Sequence, residues 1–356
     1  MEHALDLARK GVGLASPNPT VGCVIAKDGT ILGEGFHQYE GRDHAEIIAL
    51  KQAGVRARDA TLYVTLEPCN HTGRTGPCAE AILSAGIARV VAAMEDPNSK
   101  TRSTGFAKLR TNGVEVETGV LESEAQKLNE AFSCWIATKK PFLTLKSALT
   151  LDGQLVLPES RKSKKRVWIT GEESRSEVQR MRHASDALLT GIGTILADDP
   201  LLTDRSGLRR RRGLLRVVLD TKLRLPLKSR IVETAKDDLL IFTSVSVKSP
   251  KARKLQNLGV ELVQVKRGLP RDLQLVLKEL GRREILSVLL EAGPTLNGTA
   301  LSAGVVNRMV LFYAPKLAGA AAVPLAHAPD YTLPRLRLRS FQQFGPDLAA
   351  EFLLHQ

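Results

Sequence analysis

The sequence predicts an α/β protein of two domains, and three observations predict it. Apolar runs of strand length alternate with longer runs that repeat apolar residues at helical spacing. Glycine and proline signals punctuate these runs. The length, 356 residues, suggests two domains at ~100–200 residues each. Alternating strands and helices build a layered structure around a largely parallel sheet.

The elements follow in order. Residues 1–15 carry apolar positions at helical spacing and stop at S-P-N-P. V-G-C-V-I-A-K-D-G-T-I-L-G-E-G-F reads as two strands joined by a D-G turn, a strong hairpin signal. H-A-E-I-I-A-L-K-Q-A-G reads as a helix closed by Gly54. A-T-L-Y-V-T-L is a strand of β-formers, P-C-A-E-A-I-L-S-A-G a helix with Pro77 in its first turn, and A-R-V-V-A-A-M a strand. E-S-E-A-Q-K-L-N-E-A-F connects to K-K-P-F, where a boundary divides the chain into domains 1–139 and 140–356. Beyond it, P-F-L-T-L-K-S-A-L, L-R-V-V-L-D, D-L-L-I-F-T, V-E-L-V-Q-V and I-L-S-V-L-L-E read as strands. E-E-S-R-S-E-V-Q-R-M-R and L-Q-L-V-L-K-E-L read as helices, and V-V-N-R-M-V-L-F-Y as a last long strand.

Composition narrows the function classes. Hydrophobic residues make up 43% and aromatics only 4%, too few for extended base-stacking platforms. The net charge of +13 suits an acidic partner such as a phosphorylated metabolite or a dinucleotide. Two basic runs, Arg161 to Arg166 and Arg209 to Arg212, are expected to be solvated loops. No run reaches the ~18 apolar residues of a membrane span, and no signal-peptide core opens the chain. The expected setting is a reducing cytoplasm, in which Cys23 and Cys134 read as buried small hydrophobes.

The remaining cysteines lie in E-P-C-N-H-T-G-R-T-G-P-C, downstream of D-H-A-E. His44 and Cys78 would each stand at a helix start, and Cys69 in the loop after a strand. Helix N-termini favour thiolates. Open α/β sheets gather their sites at the carboxyl ends of parallel strands. Three such donors and one open position describe a catalytic zinc. Glu46, two residues past His44, would point beside the metal and suits a general acid/base. H-x-E with a later P-C pair matches the described signature of zinc nucleobase deaminases. Eight residues separate these cysteines instead of two. The inserted loop carries His71 and Arg74, and an arginine fork suits phosphate. A nucleic-acid deaminase, such as a tRNA adenosine deaminase, remains the alternative reading, and a non-catalytic zinc-stabilised binding module a third.

S-P-N-P-T-V-G-C-V-I, G-F-H-Q-Y-E-G-R-D-H-A-E and V-T-L-E-P-C-N-H-T-G-R-T-G-P-C resemble the deaminase half of the bifunctional riboflavin-biosynthesis deaminase–reductase family. L-K-S-A-L-T-L-D-G, V-W-I-T-G-E, S-D-A-L-L-T-G-I-G-T-I-L-A-D-D-P-L-L-T and L-L-E-A-G-P-T-L-N-G are similar to its reductase half. The resemblance implies a cytidine-deaminase-like three-layer domain followed by a dihydrofolate-reductase-like α/β domain. It implies Zn2+ and NADPH as cofactors. The implied partner is a small phosphorylated pyrimidine, with no nucleic acid and no membrane, in a homo-oligomer. Carried over, His44, Cys69 and Cys78 hold zinc and Glu46 moves protons. Asn18, His37 and Arg74 touch the pyrimidine substrate.

In the second half the resemblance assigns Ala148, Trp168, Thr194, Asp198, Thr221 and the run Gly293, Pro294, Thr295, Leu296, Asn297, Gly298, Thr299 to the dinucleotide. A glycine-containing turn that opens a helix can cradle a pyrophosphate on its free N–H groups. The G-x-G-x-x-G of a Rossmann fold is not there, so no Rossmann domain is expected. Lys222, beside Thr221, is the candidate for the 2′-phosphate on charge alone. Arg166, Thr170, Arg182, Leu202, Arg205 and Glu291 stand at substrate positions, Arg166 in place of the small hydroxyl residue expected two before Trp168. Lys146 and Asp198 are the catalytic candidates for polarising the sugar and handling the proton. The sequence departs from the family at E-A-G, where Ala292 replaces a glycine, and in the basic segment ending at Arg166.

Overall fold

The computed structural model describes residues 1–39, 43–70, 76–156, 168–265, 273–319, 323–327 and 335–354. By its contacts the chain divides into two compact units. The first is Met1–Lys139 with Arg209–Arg212, the second Lys140–Leu208 with Gly213–Gln356.

The first unit runs α1 (Glu2–Lys10), β1 (Gly22–Lys27), β2 (Thr30–Phe36), α2 (Ala45–Ala53), β3 (Thr61–Val64), α3 (Cys78–Ser84), β4 (Arg89–Ala92), α4 (Thr104–Thr111), β5 (Glu115–Thr118), α5 (Glu122–Leu128) and α6 (Glu130–Thr138). Its sheet has the order β2-β1-β3-β4-β5. β1 pairs antiparallel with both β2 and β3, while β3, β4 and β5 are parallel. The sheet is therefore mixed, because the D-G hairpin forces one reversal. Asp28 and Gly29 both have positive φ, 50° and 74°, as a two-residue hairpin turn requires. Helix α2 lies directly on the hairpin. A Cβ on Gly35 would stand 2.5 Å from the Ala45 carbonyl, so only glycine permits this approach. That packing fixes where α2 begins, and His44 caps that start.

The second unit runs β6 (Phe142–Thr150), β7 (Gln154–Val156), α7 (Glu172–His183), β8 (Ala187–Gly191), α8 (Ile192–Asp198), β9 (Leu215–Leu219), α9 (Arg230–Glu233), β10 (Leu239–Thr243), α10 (Pro250–Gln256), β11 (Val260–Gln264), α11 (Leu273–Arg282), β12 (Ser287–Leu290), α12 (Pro294–Ser302), β13 (Arg308–Ala314), β14 (Val323–Pro324), β15 (Leu336–Phe344) and β16 (Asp347–Leu354). Its large sheet has the order β11-β10-β9-β8-β12-β6-β13-β16-β15. The pairs from β11 through β13 are parallel. Neighbouring residues of these strands feed opposite cores. Leu189, Val217 and Leu240 join one apolar cluster, while Leu188, Val218 and Ile241 join another. Period-2 alternation thus buries both faces, which is why these strands read as unbroken apolar runs.

Three expectations need correction. V-V-N-R-M-V-L-F-Y is not the last strand: the β15–β16 hairpin follows and pairs with β13 antiparallel. Its strand L-R-L-R-S-F-Q-Q-F is mostly exposed, so no half-buried alternation announced it. Cys134 is half-buried on α6, a helix with no buried residue, whereas Cys23 is buried as expected. Arg210, Arg211 and Arg212 are half-buried rather than solvated, because they pack within the first unit. The run 161–166 lies outside the described residues.

Candidate active sites

In the first unit, three donors converge. His44 is the N-cap of α2, Cys78 is the first residue of α3, and Cys69 follows β3 in the loop. Their ligand atoms all lie within 4.8 Å of one another. His44 Nδ1 is 3.2 Å from Cys78 Sγ and 3.5 Å from Cys69 Sγ. The backbone N–H of Cys78 donates to Cys69 Sγ at 3.3 Å. The contact between the two thiols separates them: donation from Cys78 holds Cys69 well below the usual thiol range and pushes Cys78 above it. One imidazole nitrogen and two sulfurs at mutual van der Waals distance form a soft tetrahedral donor set with one position open, which fits zinc.

Glu46 is 4% exposed beside this cluster. Burial pushes its carboxyl up to about 7, against the opposing pull of His44. A carboxyl poised there can accept and return a proton at neutral pH. His37 stands edge-on to His44, with ring centroids 5.3 Å apart. Burial lowers its pKa, which favours the neutral ring. Its Nδ1–H then donates to the Asp43 carbonyl at 3.0 Å, and its Nε2 accepts from Asn18 Nδ2 at 3.0 Å. Arg74 and His71 lie outside the described residues.

Two buried polar residues that the sequence reading passed over support this centre. Asn129 clamps Thr20: its Oδ1 accepts from the Thr20 N–H at 2.9 Å, and its Nδ2 donates to the Thr20 carbonyl at 2.9 Å. Glu67, two residues before Cys69, accepts from the N–H groups of Asp96, Ser103 and Gly105 at 2.9–3.0 Å. It ties the loop before α4 to the cysteine loop. Glu67 was in view in E-P-C; Asn129, 109 residues from its partner, gave no local signal.

In the second unit, Glu291, Arg182 and Lys146 come together beside the carboxyl end of β12. Glu291 follows β12 and accepts a fork from Arg182, with Nε–Oε1 at 2.7 Å and Nη2–Oε2 at 3.0 Å. Lys146 Nζ on β6 is 3.7 Å from the same carboxylate. Burial is the largest influence on Glu291 and would raise its pKa, yet Arg182 and Lys146 together hold it down to about 2. The remaining Arg182 nitrogen donates to the Thr203 carbonyl at 3.0 Å. His183 Nδ1 meets Asp204 at 3.3 Å, and the Arg205 N–H donates to Gln179. Helix α7 therefore holds the segment that carries Leu202, whose φ is +55°. Arg216, fully buried, donates to the Leu201 carbonyl from the other side. The alkyl body of Leu202 is buried and Arg205 is exposed.

Of the candidate cofactor segments, the run from Gly293 follows β12 and Thr221 follows β9. Gly293 caps α12, with Pro294 at its first turn, so its early N–H groups are open for an anion. Asn297 is fully buried. Its Nδ2 donates to the Leu325 carbonyl, while its Oδ1 has no hydrogen-bond partner among the described residues. Thr190 Oγ1, at the end of β8, is likewise buried without one. Two orphaned polar atoms, one on α12 and one on β8, fit a unit that takes a polar ligand such as the dinucleotide. Gly298 sits where a Cβ would meet the His327 carbonyl at 2.0 Å. Thr295 is exposed, Leu296 half-buried, and the Thr299 hydroxyl donates back to the Thr295 carbonyl.

Trp168 is exposed under the Arg175 guanidinium, and Lys316 holds its carbonyl and that of Ile169. Thr170 is buried, Ala148 lies on β6 and Thr194 on α8. Thr221 follows β9 with its carbonyl accepting from Ser244 N–H, and Lys222 beside it is exposed. Asp198 stands exposed at the end of α8, and among the described residues no hydrogen bond joins it to the Glu291 cluster. Arg166 lies outside the described residues. Ala292 is half-buried against the apolar core.

The chain is similar to known proteins along its whole length. Residues 1–94 match the cytidine and deoxycytidylate deaminase zinc-binding region, and residues 141–350 match the RibD C-terminal domain. The riboflavin biosynthesis protein RibD of Aquifex aeolicus is 43% identical over 90% of this chain and 87% of its own length. That of Escherichia coli is 38% identical over 98% of this chain and 96% of its own. A solved structure of Acinetobacter baumannii RibD superposes with a TM-score of 0.87 at 37% identity, covering 100% of this chain and 98% of that one. The Thermotoga maritima diaminohydroxyphosphoribosylaminopyrimidine deaminase/5-amino-6-(5-phosphoribosylamino)uracil reductase gives 0.85 at 35% identity, covering 100% and 97%. A zinc-type donor cluster in one α/β unit, a buried charged cluster in the other and likeness along the whole chain have one common account: the protein belongs to the RibD family, the bifunctional deaminase–reductases of riboflavin biosynthesis.

Proposed function

We propose that the first unit removes the ring amino group of 2,5-diamino-6-(5-phosphoribosylamino)pyrimidin-4-one. The second would then reduce the ribosyl group with NADPH to give 5-amino-6-(5-phosphoribitylamino)uracil. The observation that carries the first step is a buried carboxyl near pKa 7 beside a His–Cys–Cys cluster. His44, Cys69 and Cys78 would hold a zinc ion, which would supply an acidified water as nucleophile. Glu46 takes a proton at its carboxylate and returns it to the leaving amine. Asn18, its amide nitrogen committed to His37, presents Oδ1 to a donor on the pyrimidine.

For the second step, NADPH supplies the hydride when bound. Gly293 to Thr299 hold its phosphates at the α12 N-terminus. Lys146, 3.7 Å from the Glu291 carboxylate, polarises the sugar and donates the proton. Glu291 fixes Lys146 and Arg182, and Arg182 with Arg205 faces the substrate phosphate. Asp198, exposed on α8, is better suited to a cofactor contact than to proton transfer. Both thiols of the metal cluster must stay reduced, which implies a cytoplasmic setting. A homo-oligomer remains part of the reading by resemblance.

The test is a coupled assay on the pyrimidine ribosylamine phosphate that follows ammonia release and NADPH oxidation separately. Both signals are expected in sequence. Absence of ammonia from zinc-loaded protein would sink the first assignment. Ammonia without NADPH oxidation would sink the second and point to Ala292.

A further inference from the structure

The run Arg209–Arg212 has no place in either site as described. In the sequence it lies between Leu208 and Gly213, within the reductase half, yet its contacts place it in the compact unit of Met1–Lys139. There it grips one particular loop. The Arg211 N–H donates to the Gly13 carbonyl at 2.8 Å, and Arg211 Nη1 donates to the Ser16 carbonyl at 2.7 Å. The Arg211 guanidinium lies 3.5 Å over the Tyr39 ring. Arg212 Nη2 reaches Ser16 Oγ at 3.1 Å. Arg210 Nε donates to the Arg212 carbonyl at 2.7 Å and closes the run on itself.

These anchor points bracket the two pyrimidine contacts. Ser16 precedes Asn18 by two residues, and Tyr39 follows His37 by two. Asn18 and His37 are joined side chain to side chain, and the Tyr39 N–H donates to the Leu14 carbonyl at 3.2 Å. The loop over residues 11–20 is thus held at Thr20 by Asn129 and at Gly13 and Ser16 by the arginines. A planar guanidinium can stack on an aromatic ring and donate in its own plane at once, which a lysine ammonium cannot.

We propose that Arg211 and Arg212 are positioning residues of the deaminase: they hold the Asn18–His37 pair in the arrangement that receives the pyrimidine. The proposal rests on the reading of Asn18 and His37 as substrate contacts. It makes a segment remote in sequence, but within the same compact unit, a support of that site. Loosening the pair costs binding in ground and transition state alike, so KM rises while kcat holds.

The test uses the full chain, zinc-loaded, with ammonia release as readout. Arg211→Ala is expected to raise the deaminase KM roughly tenfold with kcat within about twofold. Zinc content and NADPH oxidation on the deaminated intermediate are expected to stay at wild-type values. Ser16→Ala removes only the hydroxyl that Arg212 reaches, and a KM rise of roughly threefold is expected even if the arginine variant folds poorly. Arg211→Lys keeps the charge without the stacked fork and is expected to behave as the alanine variant. An unchanged KM in Arg211→Ala, a full rescue by Arg211→Lys, or a parallel fall of both activities with loss of zinc each overturns the proposal. Asn18→Ala separates the two levels. If it leaves KM unchanged, the substrate reading itself fails. If it raises KM while Arg211→Ala does not, only the positioning role fails.

Discussion

Replacing Arg182 with leucine tests the charge arrangement of the reductase cleft most directly. Arg182 and Glu291 are 11% and 15% exposed, joined by two hydrogen bonds of 2.7 and 3.0 Å. Arg182→Leu leaves the carboxylate buried with only Lys146, 3.7 Å away. Breaking a buried pair from one side costs ~3–5 kcal/mol. For a domain of this size that corresponds to a fall in Tm of roughly 10 °C. The loss must also depend on pH. In the native protein Glu291 is held down to about 2, below its unfolded value of ~4.3. The pair's stabilisation is therefore fully present above pH ~4.3 and is lost as pH falls toward about 2. Without Arg182, burial dominates and Glu291 takes up a proton at higher pH. The deficit of the variant is then largest near pH 7 and shrinks as pH falls below ~5. Thermal unfolding monitored by circular dichroism at pH 7 and pH 4 reads both quantities. The double variant Arg182→Leu with Glu291→Leu is expected to regain most of the loss, since no charge is left buried. A deficit below ~1 kcal/mol, or one that is equal at the two pH values, would refute the reasoning.

Three further outcomes follow from the first unit. Glu46→Gln is expected to lower ammonia release by ~10²–10⁴-fold while atomic absorption still finds one zinc per chain, and retained turnover would contradict the proton role. Gly105→Ala would place a Cβ 2.0 Å from the Pro68 carbonyl, so the Cys69 loop must shift; weaker zinc retention on dialysis with an intact reductase is expected, and unchanged zinc affinity would show that the loop yields freely. Stripping zinc with a chelator is expected to abolish ammonia release and leave NADPH oxidation on the deaminated intermediate untouched, so a parallel loss of both would mean that the metal supports more than the first step.

The metal donors were legible because their spacing is local. His44 sits at a helix start, Cys78 at another, and the D-G hairpin with its glycines dictates how α2 lies on β2. The parallel strands of the second unit were legible because two buried faces leave an unbroken apolar run. The β15–β16 hairpin was not, because an exposed strand carries no such pattern. Asn129 and Arg216 were not, because their partners are remote in sequence and a buried polar side chain looks like any other until its hydrogen bonds are seen.

The sequence by itself determined the two α/β units, the His–Cys–Cys donors with their nearby glutamate, and the family. Each is written in residue type and short spacing. Only the tertiary structure decided that Glu46 is buried enough to titrate near neutrality and that Glu291 is pinned ionised by Arg182 and Lys146. It alone placed Arg209–Arg212 in the first unit. All three depend on which groups are brought together and shielded from water, and desolvation and Coulomb energies exist only once the chain has folded.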